Sequence, residues 1–216
     1  QRMLAEQRDE YFYITLMNEN YAHPEMPEGS TDGIIKGMYL LKDAGKGKKG
    51  DLRVQLLGSG TILREVIAAA DLLDADFGIK ADIWSCPSFT ELARDGVDAE
   101  RWNRFHPEAK APRKAWVTQQ LEGRAGPAIA ATDYVRTFAN QIREYVPMRY
   151  SVLGTDGYGR SDTRANLRRH FEVDRFHVAH AAVAALAADG KLTAKDVARA
   201  IKLYKLDPEK PNPIGI

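Results

Sequence analysis

Two glycine loops contain the residue types that could bind an anion. In the first, Gly58, Ser59 and Gly60 follow the apolar run Leu52–Leu57 and precede apolar residues at helical spacing. Glycines at such a strand-to-helix turn let backbone N–H groups and a helix N-terminus approach a phosphate. The dinucleotide fingerprint is incomplete, because Leu63 stands where a third small residue belongs. We favour a tight structural turn and keep an anion site as the alternative.

The second loop holds Asp156, Arg160 and Asp162, directly after a short strand predicted at Ser151–Gly154. Ligands of open α/β sheets bind at the carboxyl ends of the strands, which makes this loop the best candidate for a binding site. The structural alternative is that Ser161 or Asp162 caps the next helix while Arg160 pairs with a carboxylate at a domain interface. We favour that alternative, since no nucleophile, general base or metal set accompanies the loop.

Arg94 and Asp95 form a similar charged pair before a glycine, and we interpret them as a turn or an interdomain ion pair. With the two loops they complete a set of residues proposed for an interface or an anion site. The set is Gly58, Ser59, Gly60, Arg94, Asp95, Asp156, Arg160 and Asp162.

Histidines are the remaining candidates for chemistry. His177 and His180 lie three apart on a predicted helix near His170, but no third donor shares their spacing. His180 falls on an apolar stripe, so we predict a packed side chain with one hydrogen bond rather than a metal ligand. A lone Cys86 excludes an internal disulfide and a CxxC pair. We therefore predict no metal site, no cofactor site and no catalytic residue in this chain.

The composition is that of a globular domain: 216 residues, 44% hydrophobic and 28% charged. With 31 basic and 30 acidic residues there is no concentrated basic charge for nucleic acid, and Lys46, Lys48 and Lys49 are predicted to be a solvated loop. No apolar run is long enough to cross a bilayer, and the first ten residues contain no signal peptide. We expect a cytoplasmic protein, and its first residue, Gln1, suggests a longer polypeptide.

Strands alternating with helices predict an α/β fold with a largely parallel sheet covered on both faces. Residues 1–29 are predicted to hold the last strand of a preceding domain, at 11–17, and a proline-bearing linker, and 30–216 to form the main domain. Runs at 34–41 and 52–57 could pair as a long-looped hairpin, and those at 116–121 and 128–131 are interpreted as a short antiparallel one. Another strand is predicted at 81–86, and helices are predicted at about 62–73, from 88, and at 135–146, 162–170, 175–189 and 194–204.

The order of short motifs resembles the carboxyl-terminal domain of the bacterial homodimeric pyruvate dehydrogenases. The motifs include Asn18-Glu19-Asn20-Tyr21, Met26-Pro27-Glu28-Gly29, Val54-Gln55-Leu56-Leu57-Gly58-Ser59-Gly60, Ser88-Phe89-Thr90-Glu91-Leu92-Ala93-Arg94-Asp95-Gly96, Glu100-Arg101-Trp102-Asn103, Thr132-Asp133-Tyr134, Leu153-Gly154-Thr155-Asp156-Gly157, Gly159-Arg160-Ser161-Asp162 and His170-Phe171-Glu172-Val173-Asp174. The resemblance covers about residues 11–174, and the remainder reads as generic helix.

This resemblance implies a transketolase-type carboxyl-terminal domain, with a mixed, mostly parallel sheet of five strands between helices. It implies that the full-length enzyme uses thiamine diphosphate and Mg²⁺ to decarboxylate pyruvate and to acetylate a lipoyl group reductively. The family's cofactor motif and activating glutamate have no match here, so the isolated chain is expected to be inactive and to bind neither cofactor. The implied partners are the preceding domains, a second subunit and the dihydrolipoyl acetyltransferase core.

Two other functions stay open at this point. The chain could be an anion- or nucleotide-binding regulatory module that uses one of its glycine loops. It could also be a stand-alone scaffold domain that binds the acetyltransferase core.

Overall fold

A single five-stranded sheet forms the centre of the computed structural model, which describes residues 1–12, 20–45 and 50–216. The strands are β1 (Tyr39–Lys42), β2 (Arg53–Gly58), β3 (Lys80–Ser85), β4 (Ala128–Ala131) and β5 (Tyr150–Leu153), in the order β1-β3-β2-β4-β5. The last four strands are mutually parallel, and β1 runs antiparallel to β3. The predicted α/β class, with a mostly parallel five-stranded sheet, is therefore confirmed.

Helices cover both faces of the sheet. They are α1 (Thr31–Ile35), α2 (Leu63–Phe77), α3 (Phe89–Phe105), α4 (Trp116–Leu121), α5 (Arg136–Asn140), α6 (Arg164–His170), α7 (Arg175–Ala188) and α8 (Ala194–Leu203). Short 3₁₀ turns lie at Gly60–Ile62, Arg143–Tyr145 and Pro213–Gly215. The three predicted carboxyl-terminal helices are confirmed as α6, α7 and α8.

The two faces of the sheet bury separate apolar clusters, because successive side chains of a strand point to opposite faces. Along β2, Val54 and Leu56 pack with residues of α2 and α7, whereas Leu57 packs with residues of α3 and α4 on the other face. All three side chains are fully buried. This double burial explains why the parallel strands are apolar almost throughout.

The predicted hairpin between 34–41 and 52–57 is wrong. Residues of the first run form part of α1, then a turn at Gly37 with φ +94°, and only then β1. β1 pairs with β3, so β2 lies one strand further along the sheet. Pairing is decided by the whole sheet and is not visible in the local pattern of the two runs.

The predicted hairpin at 116–131 is also wrong. Its first half is α4, in which Val117 and Leu121 are both buried at the four-residue spacing of a helix. Its second half is β4, which pairs in parallel with β2 and β5. The helix predicted for 135–146 is shorter than expected, because α5 ends at Asn140 and a 3₁₀ turn follows.

The helix caps agree in part with prediction. Thr193 and Asp196 form the expected capping box of α8. At α3, the Ser88 hydroxyl accepts from the Glu91 N–H, but the Glu91 carboxylate pairs with Arg94 instead of returning to Ser88. The strand predicted at 11–17 and the lysine loop at 46–49 lie largely or wholly outside the described residues, and 20–29 form no helix or strand.

Candidate functional site

Three parallel strands end side by side and place their following loops at one edge of the sheet. The strands end at Gly58 of β2, Ala131 of β4 and Leu153 of β5, and we call this side of the sheet the carboxyl edge. Backbone hydrogen bonds continue the ladder just past the strands, from the Ser59 N–H to the Ala131 carbonyl at 3.2 Å. The two glycine loops predicted from the sequence therefore lie at the same carboxyl edge.

The Gly58–Gly60 turn is needed for close packing. A Cβ on Gly58 would lie 2.8 Å from the Cα of Leu63, so only glycine lets the start of α2 approach the strand this closely. Gly60 adopts φ +55° in the 3₁₀ turn that leads into α2. Next to it, the Thr61 hydroxyl donates to the Asp133 carboxylate at 3.2 Å.

Asp156 holds the second loop in place through Arg136. One carboxylate oxygen accepts from the Arg136 backbone N–H at 3.1 Å, and the other pairs with the Arg136 guanidinium. Among the residues that the structure describes, Arg160 pairs with no carboxylate. The cap of α6 is Thr163, not Ser161 or Asp162, although Asp162 supports it by accepting from the Thr163 N–H and from Asn166.

A cleft of about 300 Å³ opens between the two loops and α6. Three arginines, at positions 160, 164 and 168, line it at four-residue intervals, together with one carboxylate, Asp133. The rest of the wall is formed by Thr61, Ile62, Thr155, Gly157, Gly159, Leu167, Phe171 and Val173. Thr61 of the first loop and Arg160 of the second, which are 99 residues apart in the sequence, thus line the same cleft.

Behind the cleft, Glu65 of α2 is a buried carboxylate that sequence reasoning missed. It accepts from Arg168 at 3.0 Å and from the Arg175 side chain at 2.9 and 3.1 Å. Burial alone would raise the pKa of Glu65, but the hydrogen bonds and positive charges of Arg175 and Arg168 outweigh burial and lower it. An acidic residue beside the buried Val66 in an apolar helix was the available signal.

Arg94 and Asp95 are not part of this edge. Arg94 is 71% exposed and pairs with Glu91 one turn earlier in α3. Asp95 accepts from the backbone N–H of Trp116 and so fixes the start of α4. Both lie on the face of the sheet that α3 covers, and their observed contacts are structural.

The histidines form no metal cluster in the described parts of the chain. The Nδ1 of His177 lies 2.7 Å from Asp174, the residue that caps α7. His180 is partly buried, in keeping with the packed side chain predicted for it. Among the described residues, however, the buried Nε2 atoms of His180 and His170 have no hydrogen-bond partner. Desolvation and then the charges of Arg160 and Lys210 lower the pKa of His170.

Apolar side chains are exposed next to the cleft. Tyr134, Val135 and Phe138 are 54%, 41% and 42% exposed, and the two rings contact edge to face at 5.6 Å between centroids. The Thr155 N–H donates to the Tyr134 carbonyl at 2.9 Å and so joins this segment to the loop after β5. We call these three residues the edge patch.

No helix within the described ranges is long and apolar enough to cross a membrane.

Comparison with known proteins gives a consistent result. The family model described as the transketolase-like TK C-terminal domain matches residues 37–174. A pyruvate dehydrogenase E1 component of Cupriavidus necator is 59% identical over 215 residues, which cover 100% of this chain and 24% of that protein. The corresponding Pseudomonas aeruginosa protein is 58% identical over 214 residues, 99% of this chain and 24% of its own length. The chain thus spans about a quarter of the length of these relatives.

Among solved structures, the chain is similar to a split-gene transketolase described as an inactive beta4 tetramer. The TM-score is 0.47 at 15% identity, and the match covers 70% of this chain and 43% of that one.

Proposed function

Because the chain belongs to the transketolase-like C-terminal domain family, we propose that it is the carboxyl-terminal interaction domain of a pyruvate dehydrogenase E1. The observation that carries the proposal is 59% identity along the whole chain to a protein with that name. In this proposal the longer polypeptide decarboxylates pyruvate and reductively acetylates the lipoyl group of an acetyltransferase core in the bacterial cytoplasm.

We place thiamine diphosphate and Mg²⁺ in the other part of that polypeptide. The acidic side chains at the carboxyl edge are already engaged by their own chain: Asp133 by Thr61, Asp156 by Arg136 and Asp162 by Thr163. A magnesium-bound diphosphate needs oxygen ligands that can reach the ion together. These observations support a structural contribution of this domain to the enzyme.

The edge patch supports a role in contacts within the enzyme. Tyrosine and phenylalanine are favoured in interfaces because they bury a large area with few rotatable bonds. We propose that the other domains of the same enzyme cover this patch. A homodimer partner and the acetyltransferase core are the further partners that the proposal includes.

Measuring cofactor binding and turnover on two polypeptides tests the proposal. The 216 residues alone should neither bind thiamine diphosphate with Mg²⁺ in calorimetry nor release CO₂ from pyruvate, whereas the polypeptide that also contains the preceding domains should do both. Turnover by the 216 residues, or its absence from the longer polypeptide, would contradict the proposal.

The role of the edge patch needs its own variant. Val135→Ser in the longer polypeptide should weaken its assembly, measured by sedimentation, while leaving the thermal unfolding of the 216 residues unchanged. Ile216→Ser is the matched control, because Ile216 is 42% exposed, close to the 41% of Val135, but lies outside the edge patch.

A further inference from the structure

We propose that the cleft at the carboxyl edge binds a small organic anion, a carboxylate or a phosphate monoester with a short apolar body. The proposal is independent of the pyruvate dehydrogenase assignment, because it rests on the charge, shape and lining of the cleft. It makes Arg160, in the loop after β5, the principal anion-binding residue.

The charge of the lining favours an anion. With Arg164 left out of the count, two guanidinium groups, those of Arg160 and Arg168, line the cleft with one carboxylate, that of Asp133. Arg168 also pairs with Glu65, and Glu65 pairs in addition with Arg175. Counting Glu65 and Arg175 adds one negative and one positive charge, so the excess of positive charge is unchanged. Asp156 does not reduce that excess, because Arg136 neutralises it.

The surroundings show the effect of this charge. The lowered pKa of His170 has desolvation as its first cause and the positive charge of Arg160 as its second. His170 lies on α6 with two of the cleft arginines. The charge of Arg160 that contributes to this lowered pKa is the same charge that would attract an anion into the cleft.

Arg160 is suited to hold the anionic group. Its guanidinium is exposed and pairs with no carboxylate among the described residues, so its donors can be directed to a ligand. A guanidinium fork matches the two oxygens of a carboxylate or phosphate, and such bidentate pairs are stronger than neutral hydrogen bonds. The hydroxyl of Thr61 already donates to Asp133, which lowers the repulsion between that carboxylate and an anion.

The size and floor of the cleft define the rest of the ligand. About 300 Å³ lies at the small end of the range of ligand pockets, which excludes a dinucleotide. Ile62, Leu167, Phe171 and Val173 provide an apolar wall, so a short hydrocarbon or ring attached to the anionic group would gain burial. Gly157 and Gly159 also line the cleft, and because they carry no side chain they leave its volume free for a ligand.

Calorimetric titration of the protein with four probes tests the proposal. Phenyl phosphate, phenylacetate, inorganic phosphate and phenol separate the anionic part of the ligand from the apolar part. We expect saturable binding of phenyl phosphate or phenylacetate, weaker binding of inorganic phosphate and none of phenol, with affinity falling as salt is added. The tighter of the first two probes identifies a phosphate or a carboxylate as the natural group.

The deciding variant is Arg160→Gln, which should weaken binding of the tighter probe by about tenfold or more. Lys195→Gln on α8 is the matched control, because it removes the same charge from an exposed site outside the cleft. The proposal is overturned if neither anion saturates at millimolar concentration, if phenol binds as well as the anions, or if Arg160→Gln has no larger effect than Lys195→Gln.

Discussion

Asp82 and Asp156 both hold loops in place beside the same sheet, but their surroundings differ. Asp82, on β3, is 2% exposed and accepts from the Ala44 N–H, from Arg53 and from Gln55 at 2.9 to 3.1 Å. Asp156, at the carboxyl edge, is 21% exposed and is bonded to a single residue, Arg136. One carboxylate is enclosed by three segments of chain, and the other is reached by water.

This difference separates a part of the molecule that maintains the fold from a part that can present groups to a partner. Gln55 extends the Asp82 network, since its side chain donates to the Ala125 carbonyl and accepts from the Trp84 indole. Removing one member would therefore leave several buried donors without acceptors. At the carboxyl edge, water can replace a lost partner. Arg160 and the edge patch can therefore be occupied by a ligand or a partner, or be substituted, with little effect on the fold.

The largest effect is expected from Asp82→Ala. It removes the buried carboxylate that accepts from the Ala44 N–H, Arg53 and Gln55 and that balances the charge of Arg53, and we expect the free energy of unfolding to fall by about 3 to 5 kcal/mol. Urea denaturation followed by circular dichroism measures this change. A loss below about 1 kcal/mol, the range of exposed pairs, would remove the distinction drawn between the two regions.

A glycine in the turn before β4 provides a second test of how much close interior packing contributes to stability. Gly126 has φ +84°, and a Cβ there would overlap the carbonyl of Arg53, so we expect Gly126→Ala to cost about 3 kcal/mol through strain and displacement of β2. Thermal and urea unfolding provide the measurement.

Gly123→Ala in the same turn is the control. Gly123 has a similar φ of +78° but open space around its Cβ position, so only the backbone cost of about 1 kcal/mol should appear. Equal losses in the two variants would show that the approach of the turn to Arg53 has no energetic importance.

The same contrast explains which parts could be predicted from the sequence. Gly58, Gly60 and Asp156 were found because glycine spacing and the position after a strand are local signals. The partner of Asp156 was not, because Arg136 lies twenty residues away and meets it only through the parallel pairing of β4 with β5. Asp82 was missed entirely, since its role depends on burial, which one sequence does not show.

The types of the helices and strands were likewise predictable where the signal lay within one segment, and not where it depended on burial. The amphipathic α8 and the strand-turn-helix at Gly58 were predicted from periodicity within one segment. α4 was predicted to be a strand because Trp116 and Val117 favour strands, a preference that burial of Val117 and Leu121 on one helix face overrides.

A pH titration of stability tests the interior carboxylate Glu65. Its pKa is lowered in the folded protein, so the folded state binds fewer protons than the unfolded state. The contribution is present above the ordinary glutamate range and is lost as the pH falls through the folded pKa. We expect Glu65→Gln to cost about 1 to 3 kcal/mol at neutral pH and to flatten the acid side of the stability curve.

Asp162→Asn is the comparison at the exposed edge. The pKa of Asp162 is also lowered, by the Asn166 side chain and the Thr163 N–H, but the carboxylate is open to solvent. The acid side of the stability curve should therefore change less in Asp162→Asn than in Glu65→Gln. An equal or larger change in Asp162→Asn would show that exposure does not set the size of these contributions.

The smallest effect is expected from Asp156→Asn, which makes at the carboxyl edge the same chemical change that Asp82→Asn makes in the interior. Asparagine keeps an oxygen that can accept from the Arg136 N–H, and the lost ion pair is screened because the Arg136 side chain is 40% exposed. The free energy of unfolding should fall by no more than about 1 kcal/mol, and added salt should reduce the difference. Asp82→Asn should cost more and respond less to salt, since contacts to Arg53 and Arg124 depend on the charge of a carboxylate that is only 2% exposed. If urea denaturation gave the two variants equal losses with equal salt dependence, burial would not be what distinguishes these aspartates, and the carboxyl edge would have to be counted as part of the structural core.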